Sequence, residues 1–128
     1  MAGAAAMNHG VILFAHGSRD PLWRLPMESV AARVAARSPG TPVRCAYLEL
    51  TTPDLPTAAG ELAGLGLASV AIVPMFLGAG RHVREDLPQI VAGLRAAHPA
   101  VDWQLQRPVG EDDRLLDLLA DLALPAAP

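Results

Sequence analysis

The chain has 128 residues, 52% of them hydrophobic, and a mean hydropathy of +0.29. A domain of this length can withdraw about 70% of its unfolded surface from water, so a real core forms without staples. The net charge of -3 and an isoelectric point near 5.7 speak against a nucleic-acid partner, because such proteins present a basic face. One cysteine excludes a disulfide framework and a thiolate cluster and favours a cytoplasmic protein. No apolar run is long enough to cross a bilayer.

Residues 1–8 lack the basic start and long apolar core of a secretory signal and read as a flexible tail. Residues 9–128 read as one α/β domain. His9-Gly10 leads into Val11-Ile12-Leu13-Phe14-Ala15, an apolar run typical of a strand buried on both faces. It ends at His16-Gly17-Ser18-Arg19-Asp20-Pro21, where Gly17 permits a tight turn and Ser18 or Asp20 caps a helix whose first turn suits Pro21. That helix carries Trp23, Met27, Val30, Ala31 and Val34 at helical spacing and stops at Ser38-Pro39-Gly40-Thr41-Pro42.

Residues 43–50 form the second predicted strand, with Glu49 near its carboxyl end and Cys45 packed inside it. Thr51-Thr52-Pro53-Asp54 turns and caps a weak helix over 55–65. The third strand covers 69–74 and ends at Pro74, which has no N–H to donate. After the glycine pair Gly78 and Gly80, His82 falls in the loop, and a helix follows over about 84–97 with Leu87, Ile90, Val91 and Leu94 on one face. Val101-Asp102-Trp103-Gln104-Leu105-Gln106-Arg107 alternates as an edge strand does. Pro108-Val109-Gly110 turns, and Asp112 or Asp113 caps a final amphipathic helix through Leu115, Leu116, Leu118, Leu119 and Leu122.

Strict β-α alternation predicts a doubly wound, four-stranded parallel sheet of flavodoxin-like order with helices on both faces. Ligands of such sheets bind beyond the carboxyl ends of the strands. His16, Glu49 and His82 follow the first, second and third strands, so they are expected on one rim. Two imidazoles and a carboxylate suit cobalt, iron, nickel or zinc, and histidine also exchanges protons near neutrality. His9 reads as a tail or pre-strand residue, and His98 as a residue that interacts with the helix dipole at a helix C-terminus. Met75, Phe76 and Leu77 read as core or as the floor of a flat apolar pocket. Arg19, Arg81 and Arg84 fall on the same rim, where carboxylate-rich ligands would be welcome. The Gly78-Ala79-Gly80 run lacks the lysine and hydroxyl of a phosphate-binding P-loop.

Three separated motifs in register resemble the CbiX/SirB-type sirohydrochlorin chelatases: Leu13-Phe14-Ala15-His16-Gly17-Ser18-Arg19-Asp20-Pro21, Tyr47-Leu48-Glu49-Leu50 with Pro53, and the run from Val73 to Pro88 containing Gly78-Ala79-Gly80-Arg81-His82. The resemblance implies a chelatase-like domain that inserts a divalent metal, cobalt(II) above all, or iron or nickel, into sirohydrochlorin for cobalamin or sirohaem. It implies no tightly bound cofactor. It also implies His16 and His82 as catalytic metal ligands, Glu49 as a catalytic carboxylate on the metal or substrate side, and Phe76, Leu77, Gly78, Ala79, Gly80 and Arg81 as the segment lining the tetrapyrrole. A single lobe, as here, implies a homodimer. Two alternatives stand beside this reading. A metal or tetrapyrrole carrier would use the same histidines only to hold cargo. A histidine phosphatase is disfavoured because Ala15 stands where the phosphate-holding arginine would be.

Overall fold

The computed structural model describes residues 8–126. The expected tail falls almost entirely on residues 1–7, outside the described residues. Four parallel strands form one sheet, β1 (His9–Ala15), β2 (Val43–Tyr47), β3 (Ser69–Pro74) and β4 (Asp102–Leu105), in the order β2-β1-β3-β4. Four helices intervene or follow: α1 (Leu25–Arg37), α2 (Leu55–Ala63), α3 (Arg81–Ala97) and α4 (Asp113–Ala123). The register opposes Ala15 to Tyr47 and Phe14 to Pro74, so β1, β2 and β3 stop in one row. That row is the expected rim.

Side chains of a strand alternate between faces, and β1 divides the core accordingly. Ile12 and Phe14 join Val70, Ile72 and Trp103 beneath α2 and α3, which contribute Leu55, Leu62, Leu87 and Val91. Leu13 and Ala15 face the other way, with Tyr47, Met27 and the half-buried Val30 and Ala31 of α1. β4 is an edge strand that pairs only with β3, and it buries Trp103 while exposing Asp102 and Gln104.

Three expectations shift. The first helix is split: a short 3₁₀ turn Pro21–Arg24, capped by Asp20 accepting from the Leu22 N–H at 2.9 Å, precedes α1. Pro26, which has no N–H to donate back to the 3₁₀ turn, falls in the first turn of α1 and marks the break. β2 ends at Tyr47 and not at residue 50, and three residues on Leu50 turns into the left-handed region at φ 62°. α4 is capped by Asp112, which accepts from the Arg114 N–H, but it buries no residue and packs chiefly on the short 3₁₀ turn Val109–Glu111. It does not cover the sheet.

α2 is held at its start by Asp54, whose carboxylate accepts the Thr57 N–H at 2.9 Å, and hydrogen bonding from the Thr57 side chain first and its N–H second draws it below the usual aspartate pKa. Asp54→Ala is expected to cost about 1 kcal/mol in urea denaturation at pH 7. The folded-state pKa is depressed, so this contribution exists above the ordinary aspartate pKa and disappears as pH falls through the folded value. The gap between variant and wild type should therefore narrow in acid.

Candidate functional site

His16 is the first residue beyond β1, and the backbone there is tied to the segment following β2. The Leu48 N–H donates to the Ala15 carbonyl at 2.9 Å, and the Glu49 N–H to the His16 carbonyl at 3.0 Å. Thr51 completes the tie: its Oγ1 accepts the Ser18 N–H at 3.0 Å and donates to the Ser18 carbonyl at 2.8 Å. Gly17 sits at φ 106°, and a Cβ there would collide with the Glu49 carbonyl oxygen. Only glycine lets these two loops approach so closely.

The approach brings two chemical groups together. His16 Nε2–H donates to Glu49 Oε1 at 2.9 Å, with the side chains 53% and 55% exposed. A carboxylate can only accept, so Nε2 is the donor, and in the neutral imidazole the lone pair is then on Nδ1. Nδ1 has no hydrogen-bond partner among the described residues. The pair is an oriented imidazole with an open nitrogen, the arrangement by which carboxylates position metal-binding histidines.

His82 sits elsewhere than expected. α3 begins at Arg81, with Gly80 extended as its cap, so His82 is an exposed residue of the first helical turn and not of a loop. Among the described residues no group of three or more His, Cys, Asp or Glu side chains lies at metal-holding spacing. The fold therefore brings His16 and Glu49 into contact and leaves His82 on the neighbouring loop-helix junction of the same rim.

The segment 76–81 leaves β3 on that rim. Phe76 is half buried, its ring edge-on to Phe14 with centroids 6.0 Å apart, while Leu77 is 67% exposed. Gly78 and Gly80 are exposed and Ala79 half buried. Arg81 is exposed and pairs with Glu85 one turn on, its Nε–H donating to Oε1 at 2.9 Å. Leu50 after β2, Leu22 in the 3₁₀ turn and Leu25 at the start of α1 are further exposed apolar side chains beyond the strand ends. An open groove of about 520 Å³ runs beside Glu49, lined by Tyr47, Leu50, Thr52 and Asp54 among others. Residues 43–54 thus present both a carboxylate and apolar surface.

Cys45 takes no part in this rim. Its thiol donates to the Met27 carbonyl at 3.6 Å, and burial pushes its pKa up, so it stays protonated and a poor metal donor. Burial first, and then the neighbouring Cys45, pushes the Tyr47 phenol up to about 12. The roles of Thr51 and Leu50 escaped the sequence reading. A threonine in a turn rich in threonine and proline reads as a cap, and the bonds that define its role cross between two loops.

Comparison with known proteins agrees with this layout. The sequence profile of the CbiX family matches residues 10–125. The sirohydrochlorin cobaltochelatase of Methanococcoides burtonii is 26% identical over 123 residues, covering 90% of this chain and 94% of that protein. The crystal structure of a CbiX protein from Marinobacter aquaeolei VT8 superposes with a TM-score of 0.78 at 36% identity, covering 90% of this chain and 93% of that one. SirB from Bacillus subtilis subspecies spizizenii, solved in complex with cobalt, matches with a TM-score of 0.75 at 22% identity, covering 89% of this chain and 49% of that one, a likeness of fold. With the profile running from the first strand through the final helix, the chain belongs to the CbiX family.

Proposed function

We propose that the chain is a sirohydrochlorin chelatase, which exchanges two pyrrole protons of the macrocycle for a divalent metal, cobalt(II) foremost. The observation that carries this reading is the His16–Glu49 pair on an open rim with apolar neighbours. The cobaltochelatase name of the Methanococcoides burtonii relative supports the choice of metal.

Insertion requires that the ion lose water and that two protons leave the ring nitrogens. His16 Nδ1 is the first ligand of the arriving ion and, once the ion has passed to the ring nitrogens and freed the lone pair, takes up one ring proton and passes it to solvent, while the other proton leaves to solvent directly. Glu49 holds the imidazole by its other nitrogen and offsets the positive charge that protonation creates. Two protein donors at most leave the remaining coordination positions to water and to the incoming macrocycle nitrogens. His82 is assigned as a second ligand reached from the start of α3.

Phe76, Leu77, Gly78, Ala79, Gly80 and Arg81 form the wall against the macrocycle face. The Arg81–Glu85 pair is exposed, and such surface pairs are worth little, so Arg81 exchanges Glu85 for a substrate carboxylate at small cost. The amino end of α3 adds partial positive charge in the same place.

The protein works without a tightly bound cofactor, in the cytoplasm, free of nucleic acid and membrane. No helix among the described residues is long and apolar enough to cross a membrane. Residues 9–128 act as one lobe, and the active unit is a homodimer. Support comes from α4, whose Leu116, Leu118 and Leu122 are exposed and which has no fully buried residue, with Leu115 and Leu119 only half buried. Light scattering is expected to give twice the chain mass, and a fully active monomer would remove the dimer from the account.

The function is tested by following loss of the free-macrocycle absorbance with cobalt(II), iron(II) and nickel(II). The expected result is acceleration over the uncatalysed rate for each ion and the largest for cobalt(II). Rates equal to background with all three would overturn the reading.

A further inference from the structure

The wall at 76–81 has little packed behind it. A cavity of about 140 Å³ lies there, lined by Pro74, Phe76, Val83, Leu87, Leu105 and Pro108. A Cβ added at Gly78 or Gly80 would meet nothing within 4 Å. On one side the wall is anchored to β1, where the Met75 N–H donates to the Phe14 carbonyl at 2.7 Å and the Phe76 ring meets Phe14. On the other side the anchor comes from the chain after β4.

That chain runs on beside the extension of β3. The Gln106 N–H donates to the Ile72 carbonyl at 2.9 Å, and the Gly110 N–H to the Phe76 carbonyl at 2.9 Å. Between these bonds the 3₁₀ turn Val109–Glu111 begins, and Gly110 lies directly against the backbone of Leu77. A methyl group on Gly110 would fall onto the Leu77 carbonyl. The clash is with backbone and not with the end of a flexible side chain, so the wall or the turn must move. Glycine is required here for close approach.

We infer that Gly110 is a positioning residue that sets the macrocycle wall, acting through Phe76 and Leu77. This rests on the chelatase reading above. Gly110 makes no hydrogen bond to His16, Glu49 or His82, and its contacts fall on Phe76 and Leu77 at the start of the wall, away from His82 at its far end, so its effect belongs to macrocycle binding and not to the metal or the proton. It also joins the wall to α4, because the same 3₁₀ turn leads into that helix through the Asp112 cap.

The test compares wild type, Gly110→Ala and, as control, Gly93→Ala, which adds a methyl in open space on α3. KM for sirohydrochlorin and KM for cobalt(II) are measured separately, with thermal melting by circular dichroism on each protein. Gly110→Ala is expected to raise KM for sirohydrochlorin about tenfold while KM for cobalt(II) and kcat stay within about twofold. Should Gly110→Ala fail to fold, Pro108→Gly loosens the same turn without a collision and should raise the same KM in the same direction. A KM for sirohydrochlorin equal to wild type in a folded variant, or a fall in kcat alone, overturns the inference while leaving the chelatase reading intact. Absence of insertion by the wild-type chain overturns both.

Discussion

Replacing His16 with alanine is expected to slow metal insertion by about a thousandfold, the range in which positioned proton acceptors contribute to enzymatic rates. The fold should survive. His16 lies past the end of β1 with half its side chain in solvent, and its one side-chain bond is to the equally exposed Glu49. Exposed pairs of this kind contribute about 1 kcal/mol or less. Glu49→Gln should give a smaller fall, about 10- to 100-fold, because the amide still accepts from Nε2 but no longer offsets an imidazolium charge. The check is the rate of loss of free-macrocycle absorbance, read beside thermal melting of each variant. Wild-type rates in His16→Ala would remove the residue from the mechanism.

Gly17→Ala should damage both stability and activity. At φ 106° a side chain is strained, at a cost of about 1–3 kcal/mol for such backbone conformations. The added methyl also collides with the Glu49 carbonyl, so relief of the clash pushes apart the two loops that carry His16 and Glu49. The expected outcome is a loss of about 2–3 kcal/mol in urea denaturation, together with a fall in insertion rate that approaches that of His16→Ala. The two readouts separate the causes. A variant that is destabilised but inserts metal at the wild-type rate when folded would show that the loop contact serves the fold alone.

Much of this architecture is legible in the residues because local pattern and tertiary placement agree. Val11-Ile12-Leu13-Phe14-Ala15 is continuously apolar because β1 is central and covered on both faces. The alternation around Trp103 marks an edge strand with one buried face, and the acids Asp20, Asp54 and Asp112 sit where helical turns begin. From strand order alone His16 and Glu49 are placed at adjacent strand ends, and in the fold they touch.

What was not legible depends on contacts between distant parts of the chain. Nothing in Tyr47-Leu48-Glu49-Leu50 announces that the strand ends at Tyr47 or that Leu50 adopts φ 62°. α3 starts at Arg81 because Gly80 serves as an extended cap without any side-chain bond, and a glycine before a polar turn reads as loop. The amphipathic period of α4 announces an apolar face but not what covers it, and among the described residues none of that face is fully buried. Gly110 reads as an ordinary turn glycine, and its need for close approach appears only once Leu77 is beside it.

Turnover tests the central claim most directly. With the chain at one tenth the concentration of sirohydrochlorin and cobalt(II) in excess, an enzyme built on the His16–Glu49 pair should convert the whole macrocycle pool through repeated cycles, well ahead of the uncatalysed reaction. A reaction that halts after one equivalent per chain would contradict catalysis and identify a carrier.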